Sequence, residues 1–253
     1  MTTVAVLHPG RMGSAVGALL LHTGADVRWL PAGRGPGTRS RADAAGLAAA
    51  DDLAGCDVVL SICPPAAAVD TARSVAGFGG LYVDANAISP ATAAQVRDVV
   101  ESGGGAFVDG GIIGGPPTGP GTRLYLSGDR AGDVAALFHG TLLDARIVEG
   151  DCAASALKMA YAAWTKITAA LVLGIEATAR QHGVADALHA EWELSGLDLA
   201  DRVAAGERAA RGKGWRWVDE MRQIAATFDA AGQPEGFGAA AAAVFDRYPR
   251  VED

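Results

Sequence analysis

The sequence predicts an α/β protein, an N-terminal doubly wound parallel sheet followed by an all-helical C-terminal domain. Three observations predict it. Strand-like runs that are apolar throughout alternate with helical stretches over the first half of the chain, the pattern of a parallel sheet covered on both faces. That alternation stops near Gly150, after which only helical periodicity remains. Half of the 253 residues are hydrophobic, only 6% are aromatic and 34 are glycine, which suits helices packed closely on a sheet.

The strands are expected at 3–8, 26–30, 57–62, 80–84, 106–109, 123–127 and 145–148. Between them, helices are expected at 11–23, 38–45, 65–76, 89–102 and 131–139. A proline-free helical run then extends from Cys152 to about His182. Further helices at 185–194, 198–211, 215–231 and 237–247 are punctuated by Gly196, Gly212-Lys213-Gly214 and Gly232-Gln233-Pro234. The domains are therefore drawn as residues 1–150 and 151–253. Trp217, Met221, Ile224 and Phe228 recur at helical spacing and make an apolar face for a core or a dimer contact.

A formal net charge of −8 argues against a nucleic-acid partner, because binding phosphate backbones needs a basic field. The three cysteines lack metal-ligand spacing, so no metal is expected, and scattered thiols suit a reducing cytoplasm. The longest apolar stretch, near 167–175, is too short to span a bilayer. The first strand starts almost at Met1, which leaves no room for a leader. A soluble cytoplasmic protein without a membrane partner is the expectation.

Chemistry enters at the end of the first strand, in His8-Pro9-Gly10-Arg11-Met12-Gly13. Gly10 and Gly13 stand where the second and third glycines of a Rossmann-type G-x-G-x-x-G turn belong. The second lets backbone N–H groups approach a pyrophosphate, and the third lets helix pack on strand. His8 replaces the first glycine, and Pro9 is expected to hold it extended. The second strand ends in Trp29-Leu30-Pro31-Ala32 without the acid that would accept from a ribose 2′-OH. Arg34, Arg39 and Arg41 follow, with Thr38 and Ser40, and can surround a 2′-phosphate. The expected cofactor is NADP(H) rather than NAD(H).

His8–Gly13, Ser61-Ile62-Cys63-Pro64-Pro65, Asp84–Pro90, Asp109–Gly115 and Ser155–Tyr161 occur in the order found in one superfamily. Over essentially its whole length the chain resembles the 6-phosphogluconate dehydrogenase and β-hydroxyacid dehydrogenase superfamily, and within it the small bacterial members with a compact helical C-terminal domain. The resemblance implies a nicotinamide dinucleotide held by the N-terminal domain, with His8, Pro9, Gly10, Arg11, Met12, Gly13, Cys63, Pro64, Pro65 and Asn86 at the cofactor. It implies substrate in the cleft between that domain and the long helix, and a homodimer formed through the helical domain. It makes Lys158 the catalytic lysine.

The residues themselves agree on Lys158, an amine inside a run of Ala, Leu and Met, where burial favours the neutral form and so proton exchange near neutrality. Lys158, Tyr161, Ala162 and Thr165 share one helical stripe, so Tyr161 and Thr165 are expected to face substrate with it. Asn86, where the superfamily commonly has Ser or Thr, can orient substrate or the nicotinamide amide. The carboxylate-binding motif, usually Ser-Gly-Gly, reads Ile113-Gly114-Gly115, which keeps its backbone donors and loses the hydroxyl. Ala162 stands where an asparagine is usual. Trp164 is expected to pack, and Lys166 to lie at the surface or an interface.

The leading functional expectation is an NADP(H)-dependent dehydrogenase or reductase acting on a small carbonyl or hydroxy substrate. Reduction of a C=N bond, as in imine reductases, is the alternative that the lost hydroxyl favours and Lys158 opposes. A non-catalytic NADP-binding sensor is the third, and Lys158 in its apolar setting opposes that too.

Overall fold

The computed structural model describes residues 1–249. The chain divides into two compact units, Met1–Lys158 and Met159–Asp253, where the sequence reading drew the boundary at 150. In the first unit eight strands form one sheet: β1 (Thr3–Leu7), β2 (Asp26–Trp29), β3 (Ala48–Ala49), β4 (Val58–Ser61), β5 (Leu81–Asp84), β6 (Ala106–Ile113), β7 (Thr122–Ser127) and β8 (Leu143–Ile147). Their order is β3-β2-β1-β4-β5-β6-β7-β8, and every neighbouring pair is parallel except the antiparallel β6 and β7. The chain leaves β1 toward β2 on one side and later returns to β4 on the other. That reversal opens a crevice beyond the carboxyl ends of these strands.

Alternate residues of β1 feed two different cores. Val4 and Val6 pack with Leu20, Trp29 and Leu124 on one face, and Ala5 and Leu7 pack with Val59, Tyr82 and Val96 on the other. Two covered faces explain strands that are apolar at every position. The helices of this unit are α1 (Arg11–His22), α2 (Pro36–Ala44), α3 (Ala68–Arg73), α4 (Pro90–Ser102) and α5 (Ala131–Leu137). A single 3-10 turn, Pro65–Ala67, precedes α3, so the helix expected at 65–76 is shorter. Pro90 opens α4, and Ser89 caps it by accepting from Thr92 N at 3.2 Å.

Two strand expectations need correction. The edge strand β3 is a pair of exposed alanines with no sequence signal. β6 continues four residues beyond its expected end at Asp109, because Gly110-Gly111-Ile112-Ile113 pairs antiparallel with β7, and the sheet is therefore mixed. Paired glycines are depleted in strands and conceal such an extension.

The second unit is helical. α6 (Ala153–Gln181) begins in the first unit and continues into the second, followed by α7 (Ala185–Leu194), α8 (Leu199–Ala230) and α9 (Gly236–Phe245). The helices expected at 198–211 and 215–231 are one, since Gly212-Lys213-Gly214 stays helical. Gly214 is buried where a Cβ would lie 3.2 Å from Tyr248 Cβ, so this glycine serves packing. At Gly238 a Cβ would come within 2.8 Å of Met221 O, which brings α9 close onto the α8 backbone. Met221 and Ile224 are buried, and Trp217 meets Phe245 edge-on at 4.9 Å, so the apolar face of α8 is core. Among the described residues no helix is long and apolar enough to cross a membrane.

Candidate dinucleotide site and lysine

β1 ends at Leu7, and His8 takes φ +61°, not the extended conformation that Pro9 was expected to impose. Gly10 N donates to His8 O at 2.6 Å, which closes a tight turn centred on Pro9, whose ring-fixed φ suits that place. The left-handed residue that the turn needs therefore falls on His8, where a glycine would carry no strain. α1 starts at Arg11 with Gly10 as an extended N-cap, no capping side chain and no acid in its first turn. Its leading N–H groups and positive dipole end face the crevice side without an internal anion.

The two glycines of this turn differ in kind. At Gly13 a Cβ would sit 3.1 Å from His8 O and 3.4 Å from Val6 Cγ1, so helix and strand approach too closely for a side chain. At Gly10 a Cβ would meet nothing closer than His8 O at 3.9 Å, and φ −70° is open to any residue. Nothing in the chain requires glycine there, which leaves the space free for an approaching group. Pro9 is buried, Arg11 is exposed and Met12 packs against the β1–α1 core.

Beside this turn lies a cavity of about 430 Å³ lined by His8, Arg34, Pro64, Ala66, Ala67, Asp70, Thr71 and Ser74. Its size suits a nucleoside-scale ligand. Two lining nitrogens, His8 Nδ1 and Arg34 Nε, are buried without a hydrogen-bond partner among the described residues. Burial, and then the Arg34 charge, hold the His8 imidazole down at about 4, and burial lowers the Arg34 guanidinium from its ordinary value. A desolvated cation beside an orphaned imidazole is a setting that an anion would complete.

Arg39 stands differently from the expectation. Its Nη2 donates to Pro31 O at 2.8 Å and its Nε to Arg34 O at 3.2 Å, so it braces the loop that carries Arg34. Pro64 lines the cavity, and Pro65 opens the 3-10 turn. The Cys63 thiol lies within 3.6 Å of Thr71 Oγ1, and burial pushes it up to about 11, so it is inert at neutral pH.

Asn86 is corrected most. It is 2% exposed, and both of its amide N–H bonds are spent, on Asp84 Oδ2 at 2.7 Å and Ser61 Oγ at 3.1 Å, while its Oδ1 accepts from Cys63 N at 2.5 Å. It holds the Cys63-Pro64 backbone in place and has no donor left for substrate. Ile113 is likewise a buried side chain at the end of β6, 3% exposed. Gly114, at φ +124°, and the exposed Gly115 carry the chain out of that strand, and Thr122 Oγ1 donates to Gly115 O at 2.7 Å.

Lys158 lies on the opening turns of α6, half-buried, against β6. A Cβ on Gly111 would be 2.9 Å from Lys158 Cβ and 2.8 Å from Ala154 O, so only a glycine lets the helix seat there. Tyr161 is 43% exposed one turn on. Thr165 donates its hydroxyl to Ala162 O at 3.2 Å within the helix, which leaves it as an acceptor. Trp164 is 65% exposed rather than packed. Lys166 is not a surface residue: its ammonium meets Glu220 Oε1 at 2.7 Å, with both side chains nearly buried. The sequence reading missed Asp70, Thr71 and Ser74 at the cavity, and the buried carboxylates Asp84 and Asp109. Acids closing the apolar strands LYVD and AFVD were the available signal for the last two.

A domain of unknown function (DUF1932) matches residues 179–248. No curated protein matches the chain. The conserved protein MTH1747 of unknown function, whose structure reveals similarity with 3-hydroxyacid dehydrogenases, is 26% identical over 97% of this chain and 96% of its own, with a TM-score of 0.73. That likeness is in line with the resemblance to the 6-phosphogluconate dehydrogenase and β-hydroxyacid dehydrogenase superfamily. Two further likenesses, both below 25% identity, show the shared fold. Mycobacterium tuberculosis 3-hydroxyisobutyrate dehydrogenase is 21% identical over 98% of this chain and 94% of its own, at a TM-score of 0.72. A reductive aminase from Aspergillus terreus in complex with NADPH and ethyl levulinate is 17% identical over 98% of this chain and 93% of its own, at 0.61. Against the superfamily pattern, the place of the usual asparagine on α6 is filled by Ala162, 1% exposed and packed inward.

Proposed function

We propose that this chain is an NADP(H)-dependent oxidoreductase that moves hydride between nicotinamide and the carbonyl or alcohol carbon of a small substrate. The cavity carries the reading: a half-buried arginine and an orphaned imidazole line it, next to a capless helix start with room over Gly10. Arg34 would take the 2′-phosphate, and the α1 N-terminus the pyrophosphate. When bound, the nicotinamide supplies or accepts the hydride.

The chain's own groups do the rest. Lys158 Nζ gives a proton to the substrate oxygen during reduction and takes it back during oxidation. Tyr161, exposed one turn further along α6, is the second donor to that oxygen. Gly114 and Gly115 offer backbone N–H groups to a polar substrate end, while Asn86 acts through the Cys63-Pro64 backbone. Two copies pair through the helical unit, in which Leu171, Ile175 and Phe237 line an apolar groove of about 1070 Å³. Light scattering reads that pairing.

The buried Ile113, which offers no hydroxyl to a substrate carboxylate, favours a second reading in which the acceptor is a C=N carbon. NADPH oxidation against a panel of ketoacids, ketones and imines separates the two. Fluorescence titration with NADPH and NADH tests the cofactor assignment, and tighter NADH binding would overturn it.

A further inference from the structure

α6 follows Cys152, which has φ +47°, and its leading N–H groups at Ala154 and Ser155 are met from the sheet. Ser155 N donates to Asp109 Oδ2 at 2.9 Å, and Ser155 Oγ donates to Asp109 Oδ1 at 2.5 Å. Ala154 N donates to Ser127 Oγ at 3.1 Å, whose own proton goes to Asp109 Oδ2 at 2.8 Å. Asp109, Ser127 and Ser155 are 2%, 1% and 0% exposed. Asp109 and Ser127 are register partners across β6 and β7, so one rung of the sheet holds the helix end.

Stability alone would be served by an Ser or Asp at the N-cap position. Here the cap is drawn from β6, and two residues further along that same strand Gly111 receives Ala154 O and Lys158 Cβ. Ser155 and Lys158, three apart, share a helix face. The Asp109 side chain also sits at the positive end of the helix, with both of its oxygens bonded to Ser155. The capping bonds and the glycine seat together fix both the rotation and the advance of α6 on β6.

We propose that Asp109 and Ser155 are positioning residues that set where the Lys158 amine stands. The inference rests on the reading that Lys158 moves the proton. Misplacing a reacting group by about 1 Å can cost roughly a hundredfold in rate, so a loosened first turn should lower turnover while leaving the dinucleotide cavity intact.

The test compares S155T with S155V, which add the same bulk and differ in the hydroxyl. S155V is expected to lower kcat about 10–100-fold, with the NADPH Kd within about twofold of wild type, and S155T to recover most of the loss. Amide exchange read by mass spectrometry supplies a measurement that needs no substrate. Amides at 154–158 should exchange faster in S155V than in S155T, with those later in α6 unchanged. Should S155V fail to fold, S155A replaces it in both measurements. Equal turnover and equal exchange in S155T and S155V would overturn the positioning role. K158A serves as the reference. Wild-type turnover in K158A would bring down the proton-transfer reading and the positioning role with it, whereas an inactive K158A beside a fully active S155V would bring down the positioning role alone.

Discussion

Asp84 and Asp109 lie opposite one another on the adjacent parallel strands β5 and β6, and both carboxyl groups are buried. Desolvation, opposed in part by the two bonds from Asn86 and reinforced by the Asp109 charge, raises Asp84 to about 7. In the unfolded chain the same carboxyl titrates near the ordinary value of about 4. Between those values the folded protein keeps a proton that the unfolded chain has released, so this contribution to stability is full below about pH 4 and is lost as pH rises through 7. Urea midpoints should therefore fall from pH 5 to pH 8, and D84N should flatten that slope by about 2–3 kcal/mol.

K158A should cost about 10²–10⁴-fold in turnover, the range for a lost general acid or base. The cavity beside His8 and Arg34, where the dinucleotide is proposed to bind, is lined by residues other than Lys158, so the NADPH Kd should stay within about twofold of wild type. Stopped-flow oxidation of NADPH with the best panel substrate measures the first quantity, and fluorescence titration the second. A parallel rise in Kd would place Lys158 in cofactor binding instead.

The alternation of strands and helices, the position of the β1–α1 turn and the placement of Lys158 on a long helix were legible because each is written in local pattern, whereas the left-handed His8 within that turn was not. What else escaped depends on partners distant in sequence. Lys166 reads as a surface or interface lysine until Glu220, 54 residues on, is placed against it. Asn86 reads as a free amide until Ser61, at the end of β4, and Cys63, just beyond it, are placed against it. β6 reads as ending at Asp109 because its continuation is two glycines, and those glycines are needed where Asp84 O and α6 press against the strand. Gly214 reads as a helix break for the same reason, since a residue that packs and a residue that bends look alike in sequence.

Under the proposed function, Arg34 takes the 2′-phosphate of NADPH. R34A should raise the NADPH Kd about 10–100-fold, as loss of charge-assisted bonds to a phosphate implies, and change the NADH Kd by less than about threefold. Titrations of both dinucleotides against both proteins check it. R39A should weaken NADPH less, because Arg39 braces the loop through Pro31 O and Arg34 O.

His8 holds a left-handed conformation that costs a non-glycine residue about 1 kcal/mol. H8G should relieve that cost, offset in part by the greater freedom of glycine in the unfolded chain, and raise Tm by about 1–3 °C. Differential scanning calorimetry measures it. A fall in Tm would mean that the imidazole packing against the cavity wall outweighs the backbone strain.

The Lys166–Glu220 pair in the helical unit is close to buried, with side-chain exposures of 14% and 10%, and Trp217 lies 5.8 Å from the ammonium. K166M would leave the Glu220 carboxylate buried without that cation, and removing one partner of such a pair should cost about 2–4 kcal/mol. Replacing both charges removes the buried carboxylate together with its lysine, so K166M/E220M should recover more than half of the loss. Urea unfolding of the two single variants and the double variant forms the cycle. If K166M alone were neutral, the pair would be weak enough for water to replace the lysine, and α6 and α8 would be held together by apolar packing such as Leu173 against Gly206.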